Sequence, residues 1–339
     1  METILQVSNL HTAFATSNGL VQAVRGVDFS LGKGEILGVV GESGSGKSVT
    51  MMSILRLLAG TGKVTEGTIE FEGKNLVVLD KKEIRKIRGD RISIVFQDPM
   101  SSLNPLMRIG EQIGEMLREH NPGMDRKAVE TEVVRLMNLV RIPEPEKRLK
   151  SFPHEFYGGM RQRVMIAMAL ACKPDVLIAD EPTTALDVTI QDQILKLLRS
   201  LQQEFNMSII FITHDLGVVA ELCSRVIVMY GGLIMEEALI DDLFEHPAHP
   251  YTMGLLRSIP GANQNKSERL VPIPGSPPDM LNPPKGCPFV MRCPYARNIC
   301  AQKMPVYTQL SDRHRSMCWM LDPAAPAENN PFGGGGSGQ

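Results

Sequence analysis

Residues 41–48 form a glycine-rich segment between a predicted strand and a predicted helix, and they constrain the fold more than any other part of the chain. Their sequence, GESGSGKS, fits the pattern G-x-x-x-x-G-K-[ST]. Residues 35–40 before it are mostly apolar, and residues 49–58 after it have amphipathic helical spacing. Glycines let consecutive backbone N–H groups turn towards an anion, the helix N-terminus adds partial positive charge, and Lys47 adds a full charge. The segment therefore predicts a nucleoside triphosphate site, with Ser48 as a ligand of Mg²⁺.

The composition is that of an ordinary globular protein. The chain has 339 residues, of which 43% are hydrophobic and 22% charged, and this allows one large domain and a smaller one. The net charge of −2 is evidence against a dedicated nucleic-acid binder. There is no apolar run of about 18 residues and no signal-peptide pattern at the start. We therefore expect a cytosolic, reducing location, where clustered cysteines are expected to bind metal.

Apolar periodicity predicts strands and helices that alternate along most of the sequence. Predicted strands cover residues 3–10, 22–31, 35–40, 67–73, 91–96, 175–180, 207–213 and 225–230. Predicted helices cover residues 49–58, 108–120, 125–141, 188–204 and 215–223. Strand 175–180 is almost entirely apolar, as expected for a parallel sheet that is buried on both faces. The pattern predicts an α/β fold with a helical insertion between residues 108 and 141.

Polar residues follow three of these strands. Asp180 and Glu181 end strand 175–180, where Asp180 can hold Mg²⁺ and Glu181 can orient or deprotonate the attacking water. Gln97 follows strand 91–96 and can complete the metal's ligand set, and His214 follows strand 207–213. Taken singly, these would be solvated carboxylates, a loop glutamine and a structural histidine. The phosphate loop upstream favours the functional interpretation.

Taken together, these motifs resemble those of an ABC-type ATPase over residues 3 to about 258. The residues that carry the resemblance are Gly41–Ser48, Gln97, Gly158–Gln162, Asp180–Glu181, Ala185–Asp187 and His214. Their agreement in order and spacing makes the match specific. The resemblance implies a nucleotide-binding domain at 1–258 with a RecA-like core sheet, an antiparallel β subdomain and a helical subdomain at about 104–163. It also implies a head-to-tail dimer in which each ATP lies between one subunit's phosphate loop and the other's signature loop.

The resemblance assigns a role to each motif residue. The implied nucleotide-binding residues are Phe14, Gly41, Glu42, Ser43, Gly44, Ser45, Gly46, Lys47, Ser48 and Val49. The implied magnesium ligands are Ser48, Gln97 and Asp180, and the implied catalytic residues are Glu181 and His214. The implied signature, used in trans, is Tyr157, Gly158, Gly159, Met160, Arg161 and Gln162, and the implied D-loop is Ala185, Leu186 and Asp187. Phe14 is implied to stack on adenine, the alternative being a core residue at a strand edge.

Tyr157 departs from the family pattern, in which a serine precedes the two signature glycines. That serine hydroxyl and the adjacent glycine amides are implied to bind the γ-phosphate in trans. Tyrosine is far larger, so we expect it to weaken the site formed with the partner's phosphate loop. Gly158 and Gly159 keep the loop able to donate backbone N–H groups.

The composition changes at about residue 259, where proline and glycine become dense. We predict an irregular extension at 259–325, followed by a flexible linker-like tail at 326–339. Four cysteines lie in the extension: Cys287, Cys293, Cys300 and Cys318. Four thiols on a segment with little core of its own predict a bound metal, the alternative being unrelated free cysteines.

Segments at the end of the predicted nucleotide-binding domain and in the extension resemble the dipeptide/oligopeptide/nickel importer branch of ABC ATPases. The residues that carry this resemblance are 249–256, 286–289 and 292–296. In the D-type subunits of dipeptide importers, the resemblance implies a [4Fe–4S] cluster on the four cysteines, with zinc as the alternative. Arg292 and Arg297 would then offset the cluster's negative charge.

The sequence therefore predicts an ATP-hydrolysing subunit that powers peptide import from the cytoplasmic face of the membrane. The implied partners are a second, different ATPase subunit, two permeases and an extracytoplasmic peptide-binding protein, without nucleic acid. The alternatives are a non-transport ABC-type ATPase, a nickel-importer ATPase of the same branch, and a non-hydrolysing regulatory module. Intact Lys47, Asp180, Glu181 and His214 are evidence against the last of these.

Overall fold

The computed structural model describes residues 2–184, 186–259 and 272–332. The strands are β1 Thr3–Thr16, β2 Gly19–Gly32, β3 Ile36–Val40, β4 Gly62–Phe71, β5 Lys74–Asn75, β6 Ile92–Val95, β7 Val176–Asp180, β8 Ser208–Thr213, β9 Arg225–Tyr230, β10 Leu233–Leu239, β11 Thr308–Ser311 and β12 His314–Ser316. The helices are α1 Lys47–Ile54, α2 Lys81–Ile87, α3 Pro99–Ser102, α4 Ile109–His120, α5 Arg126–Leu139, α6 Pro145–Arg148, α7 Gly159–Ala169, α8 Val188–Phe205, α9 Leu216–Leu222, α10 Ile240–Glu245, α11 Pro250–Arg257 and α12 Asn298–Gln302. Over the ranges described, none of these helices is long and apolar enough to cross a bilayer.

The protein divides into two compact units. Unit 1 comprises Met1–Ile4, Leu31–Ile36 and Val78–Ile212, and unit 2 comprises Leu5–Ser30, Leu37–Val77 and Thr213–Gln339.

In unit 1, strands β6, β7 and nearly all of β8 run parallel, and polar residues stand at or just after the carboxyl ends of β6 and β7. Strand β7 lies between β6 and β8, and its register places Ile92 opposite Val176 on one side and Asp180 opposite Ile212 on the other. Every residue of β7 and β8 is buried, which explains their continuous apolar sequences. Helices α4, α5 and α7 contact one another and bury apolar faces, as the spacing of the helical insertion predicts.

Unit 2 contains an antiparallel sheet in the order β2-β1-β4-β5 and strands in the order β11-β12-β10-β9-β3. Strand β3 runs parallel to β9, whereas β9, β10 and β12 pair antiparallel. Because β3 leads into the phosphate loop and β9 is buried along its length, this pairing anchors the start of the loop.

The predicted α/β class is confirmed, and most predicted elements lie within a few residues of the observed ones. The extension contains more regular structure than its sequence predicts, because α12 and the β11–β12 hairpin form within it and β12 pairs with β10. The predicted domain limits at 1–258, 259–325 and 326–339 remain predictions. Residues 260–271 of the extension and residues 333–339 of the tail lie outside the described residues.

Candidate functional site

The phosphate loop has the backbone geometry that its glycines predict. A Cβ atom on Gly41, whose φ is +153°, would overlap the carbonyl oxygen of Met229. A Cβ on Gly46, whose φ is +101°, would lie 2.7 Å from the carbonyl oxygen of Ala23. Only glycine fits these two positions without strain, so the loop can keep its backbone N–H groups turned inward.

Lys47 is buried at the start of α1, and its side chain folds back over the loop. Its Nζ donates to the carbonyl oxygens of Gly41 at 2.6 Å and Glu42 at 3.1 Å. The positive charge of Lys47 is therefore held next to the loop, where it can attract a bound anion. This placement agrees with the predicted role of Lys47.

The buried hydroxyl of Ser45 indicates that the loop binds a ligand. Its Oγ is buried, and no hydrogen-bond partner is found for it among the described residues. A buried hydroxyl without a partner is costly unless a bound group supplies one. Together with the glycine cradle, it shows that the loop fits a phosphate group.

Phe14 lies on β1 opposite Gly62 of β4 and is half-buried. A Cβ on Gly62 would lie 2.5 Å from the Phe14 ring, so the ring packs closely over this glycine. The ring is thus fixed by the antiparallel sheet of unit 2, and its stacking on adenine remains a prediction.

In unit 1, the structure brings two of the predicted residues together. The Nε2 of Gln97 donates to Glu181 Oε2 at 2.9 Å, and the hydroxyl of Thr184 donates to the same oxygen at 2.9 Å. The backbone N–H of Glu181 donates to the carbonyl oxygen of Ile212 at 3.0 Å. Glu181 has a φ of +47°, a left-handed conformation that is uncommon for glutamate and often marks functional positions.

Asp180 is buried at the end of β7, directly before Glu181. Ser48 in unit 2 is half-buried at the start of α1, and Val49 follows it. A serine hydroxyl, a glutamine amide oxygen and a carboxylate are all hard oxygen donors, which Mg²⁺ prefers. Ser48, Gln97 and Asp180 each carry a donor of this kind, and their joint binding of magnesium remains a prediction. His214 is exposed directly after β8.

The signature residues lie at the N-terminus of α7. Tyr157 is 76% exposed and Gly158 is also exposed, whereas Gly159 is buried against Ile190 of α8. A Cβ on Gly159 would overlap that isoleucine, so this glycine is required for helix packing. The tyrosine ring that departs from the family pattern is therefore directed to the surface rather than into the core.

The remaining signature residues have contacts within unit 1. The amide N–H of Met160 donates to the carbonyl oxygen of Tyr157 at 2.9 Å, and Arg161 Nε donates to that of Pro153 at 2.8 Å. Gln162 is buried. These contacts support the turn that presents the exposed end of the loop.

The predicted D-loop is described in part. Ala185 lies outside the described residues, and Leu186 is half-buried. The Asp187 side chain accepts a hydrogen bond from the backbone N–H of Ile190 at 3.0 Å and caps α8. The structure thus gives Asp187 a structural role, and a further role in a dimer remains a prediction.

The C-terminal part of unit 2 contacts the phosphate loop through residues to which the sequence assigned other roles or none. Tyr251 OH accepts a hydrogen bond from the backbone N–H of Glu42 at 2.9 Å. His249 Nδ1 accepts from the N–H of Tyr251 at 3.0 Å and caps α11. Burial lowers the pKa of His249 to about 3, so the ring is a neutral acceptor at physiological pH.

Arg292 of the extension also contacts the loop, through a bidentate ion pair with Glu42. Arg297 instead donates to the carbonyl oxygen of Glu328 at 2.5 Å. The prediction that both arginines offset the charge of a metal cluster is therefore wrong. In the sequence, the contacts of Arg292 and Tyr251 with the phosphate loop were indicated only by the resemblance of their segments to the peptide-importer branch.

In the part of the chain that the structure describes, no three of the four extension cysteines have their Sγ atoms within 4.8 Å of one another. Among the described residues, one set of three or more metal-ligating groups has its ligand atoms within 4.8 Å of one another, and it consists of Asp90, His120 and Cys172. Zinc needs a comparably tight tetrahedral set, so the zinc alternative lacks its ligands in the extension.

Burial favours the neutral form of three of these thiols in the metal-free protein. It raises the pKa of Cys287 to about 12, that of Cys293 to about 11 and that of Cys318 to about 12. These thiols are therefore protonated at neutral pH. The amide of Cys287 donates to the carbonyl oxygen of Cys300 at 2.8 Å, so at least these two cysteines help to shape the extension through their backbone.

Comparison with known proteins gives matches along nearly the whole sequence. The ABC transporter family model matches residues 24–184, and the model for the oligopeptide/dipeptide transporter C-terminal region matches residues 235–300. The dipeptide transport ATP-binding protein DppD of Bacillus subtilis is 54% identical over 96% of this chain and 97% of its own length. The oligopeptide transport ATP-binding protein OppD of Haemophilus influenzae is 52% identical over 94% of this chain and 98% of its own.

A solved structure shows the same fold. The dimeric, post-hydrolysis ATP-binding cassette MJ0796 bound to ADP and Pi matches with a TM-score of 0.63 and 29% identity. The match covers 70% of this chain and 98% of that one. The predicted ABC-type ATPase fold is thereby confirmed.

These findings overturn the predicted iron–sulfur cluster. The matched families and relatives are described by ATP binding and peptide transport, and none of those descriptions includes an iron–sulfur centre. Since the described part of the extension also contains no compact set of ligand atoms, the prediction of a [4Fe–4S] site on Cys287, Cys293, Cys300 and Cys318 is wrong.

High identity to these relatives extends over almost the full length of both proteins, and it includes the extension as well as the phosphate loop. The chain therefore belongs to the family of ABC transporter ATP-binding proteins that carry an oligopeptide/dipeptide transporter C-terminal region.

Proposed function

We propose that this protein binds and hydrolyses MgATP to power the import of di- or oligopeptides through a membrane ABC transporter. The observation that carries the proposal is its full-length similarity to ATP-binding proteins of dipeptide and oligopeptide transport. ATP-binding subunits of such transporters are ATPases coupled to transport. The phosphate-loop geometry and the unpartnered hydroxyl of Ser45 support binding of the nucleotide's phosphate groups.

In the proposed reaction, water attacks the γ-phosphorus, the bond to the β–γ bridging oxygen breaks, and ADP and phosphate leave. Lys47 and the loop N–H groups bind the phosphates, while Glu181 accepts the proton that the attacking water loses. His214 contacts the γ-phosphate or that water. Ser48, Gln97 and Asp180 would hold Mg²⁺, which neutralises charge on the phosphate oxygens when it is bound.

The proposed assembly contains a second ATPase subunit, two permeases and an extracytoplasmic peptide-binding protein, with this subunit at the cytoplasmic face. The exposed end of the signature loop, at Tyr157 and Gly158, supports a second ATPase subunit because it is available to complete a partner's ATP site. If the partner is a different subunit with an intact signature loop, that loop can complete the ATP site formed at this subunit's phosphate loop.

Replacing Tyr157 with serine is expected to raise the ATPase rate of the assembled transporter. The ring is 76% exposed at the end of the signature loop, where it would occupy the space of the γ-phosphate in the ATP site formed with the partner subunit. We expect a gain of at least about threefold, or about 0.7 kcal/mol of activation free energy. Tyr157→Phe is the matched control, since it keeps the ring and should give no gain. An unchanged rate in Tyr157→Ser would show that the ring does not hinder the site.

The proposed function is tested by reconstituting the full-length protein with its transporter subunits in proteoliposomes and measuring uptake. We expect ATP-dependent accumulation of a labelled dipeptide or pentapeptide, and none when ATP is omitted. Accumulation of labelled nickel without peptide would instead support the nickel-importer alternative. ATPase activity that co-purifies with nucleic acid, independent of membrane subunits, would contradict a transport role.

A further inference from the structure

Arg292, in the extension, forms a bidentate ion pair with Glu42 of the phosphate loop. Its Nη1 lies 2.6 Å from Glu42 Oε2 and its Nη2 lies 3.0 Å from Glu42 Oε1, a fork-to-fork pair. Nη1 also donates to Tyr230 OH at 3.0 Å, and Nε donates to the carbonyl oxygen of Pro274 at 2.9 Å. Nη2 donates to the carbonyl oxygen of Ile273 at 3.1 Å. All three guanidinium nitrogens are engaged, so the orientation of the group is fixed.

The ion pair is shielded from solvent mainly on the side of the arginine. The side chain of Arg292 is 5% exposed and that of Glu42 is 27% exposed. The guanidinium also lies 5.7 Å from the ring centre of Tyr230 and 6.0 Å from that of Phe289. The hydrogen bond with Glu42 raises the pKa of Arg292 further above its ordinary value, so the arginine stays charged. Removing Arg292 would leave the partly buried carboxylate of Glu42 without its partner.

An aromatic cluster supports this pair from within unit 2. The Tyr230 and Tyr251 ring centres are 4.6 Å apart, and Phe289 lies 5.3 Å from each of them. Tyr251 also accepts the hydrogen bond from the backbone N–H of Glu42. Glu42 is thus held at its backbone and at its side chain by residues that follow it by 209 and 250 positions.

Glu42 in turn contacts the residues that bind phosphate. Its carbonyl oxygen accepts from Lys47 Nζ at 3.1 Å and from the backbone N–H of Ser45 at 3.2 Å. A shift of Glu42 would therefore move the acceptor that orients Lys47. An unpaired Glu42 carboxylate would also place negative charge next to the loop that binds a triphosphate, and would repel it. Arg292 has a second effect because its positive charge compensates that carboxylate.

We infer that Arg292 is a positioning residue for ATP binding, through which the C-terminal extension sets the geometry and charge of the phosphate loop. The inference rests on the proposed binding of ATP. Because coupling between two positions is reciprocal, ATP binding should also stabilise the extension. Trp319, the sole tryptophan of the protein, lies in the extension and reports on its folding.

The test measures binding of a non-hydrolysable MgATP analogue to the full-length protein. We expect Arg292→Met to weaken binding about tenfold, within the range of about 5- to 150-fold typical of coupled positions. Arg292→Lys keeps the charge but loses the fork, so an intermediate loss is expected. In a Glu42→Gln background, the Arg292→Met change should have a much smaller effect, because the carboxylate that needs a partner is absent.

Arg315→Met is the matched control. Arg315 lies in the same extension and pairs with Glu237 at 2.7 Å, without a contact to the loop among those described. We expect it to lower the unfolding midpoint followed by Trp319 fluorescence while leaving analogue affinity within twofold of the wild type (about 0.4 kcal/mol).

Three outcomes would overturn the inference: unchanged affinity in a folded Arg292→Met protein, an equal loss in both Glu42 backgrounds, or an equal loss in Arg315→Met. If Arg292→Met does not fold, the same comparison is made with Arg292→Lys, and wild-type affinity in that variant would overturn the inference. Failure of the wild-type protein itself to bind the analogue would contradict the proposed function instead, so the two failures are distinguishable.

Discussion

Replacing Glu181 with glutamine is expected to abolish steady-state ATP hydrolysis while ATP binding is retained. The variant keeps the size of the side chain and an oxygen that can accept from Gln97 and Thr184, both 2.9 Å from Oε2 in the structure. It loses the ability to accept a proton from water. General bases contribute about 10²- to 10⁴-fold to a rate. We therefore expect kcat of the assembled transporter to fall by at least about a hundredfold, measured at saturating MgATP.

The matched control is Glu204→Gln, on the exposed surface of α8 in the same unit. It makes the same chemical change away from the motif residues and should leave kcat unchanged. A Glu181→Gln protein that hydrolyses ATP within threefold of the wild-type rate (about 0.7 kcal/mol) would show that another group deprotonates the water.

Replacing Lys47 with alanine is expected to weaken ATP binding by about a hundredfold, equivalent to about 2.7 kcal/mol. Lys47 is buried, and its ammonium already lies against the loop carbonyl oxygens of Gly41 and Glu42. Hydrogen bonds to charged groups contribute about 1.5–3 kcal/mol each, and no other side chain of the loop segment carries a positive charge. The measurement is equilibrium binding of a non-hydrolysable MgATP analogue.

Lys74→Ala provides the control, since Lys74 is an exposed lysine on β5 of the same unit. It removes an equal charge without touching the loop and should bind the analogue normally. Comparable Trp319 unfolding curves for both variants would confirm that lost binding is not lost folding. Retained affinity in a folded Lys47→Ala protein would contradict the assignment of the phosphate loop.

Strong local patterns predicted the elements around the motifs accurately. The limits of strand β9 and helix α8 were predicted to within a residue. Residues 225–230 are a short run rich in β-branched and apolar side chains, whereas residues 188–205 repeat apolar side chains at helical spacing. Helix α1 ends at Ile54, earlier than its apolar spacing predicts. Arg56 has a φ of +51°, a left-handed conformation that stops the helix and that no apolar pattern encodes.

Strand β10 shows why other elements could not be predicted. Its sequence, LIMEEAL, contains two adjacent glutamates, yet Glu236 is fully buried. Its Oε1 accepts from the backbone N–H of Ala248 at 2.6 Å and lies 2.8 Å from His314 Nε2. The carboxylate is tolerated because a histidine on β12, 78 positions away, supplies a partner. No local rule connects those two positions.

The cysteines illustrate the same limit. Their number and setting predicted a metal, but ligation depends on how the thiols are placed relative to one another, which is a tertiary property.

By itself, the sequence determined the phosphate loop, the polar residues at the ends of β6, β7 and β8, and the family, because these features depend on backbone requirements and residue types within short segments. Only the tertiary structure decided that Arg292 of the extension pairs with Glu42, 250 positions earlier, rather than with a cluster beside it. The physical reason is that a buried charge is placed by the partners that compensate it, and folding brings those partners together from distant parts of the sequence.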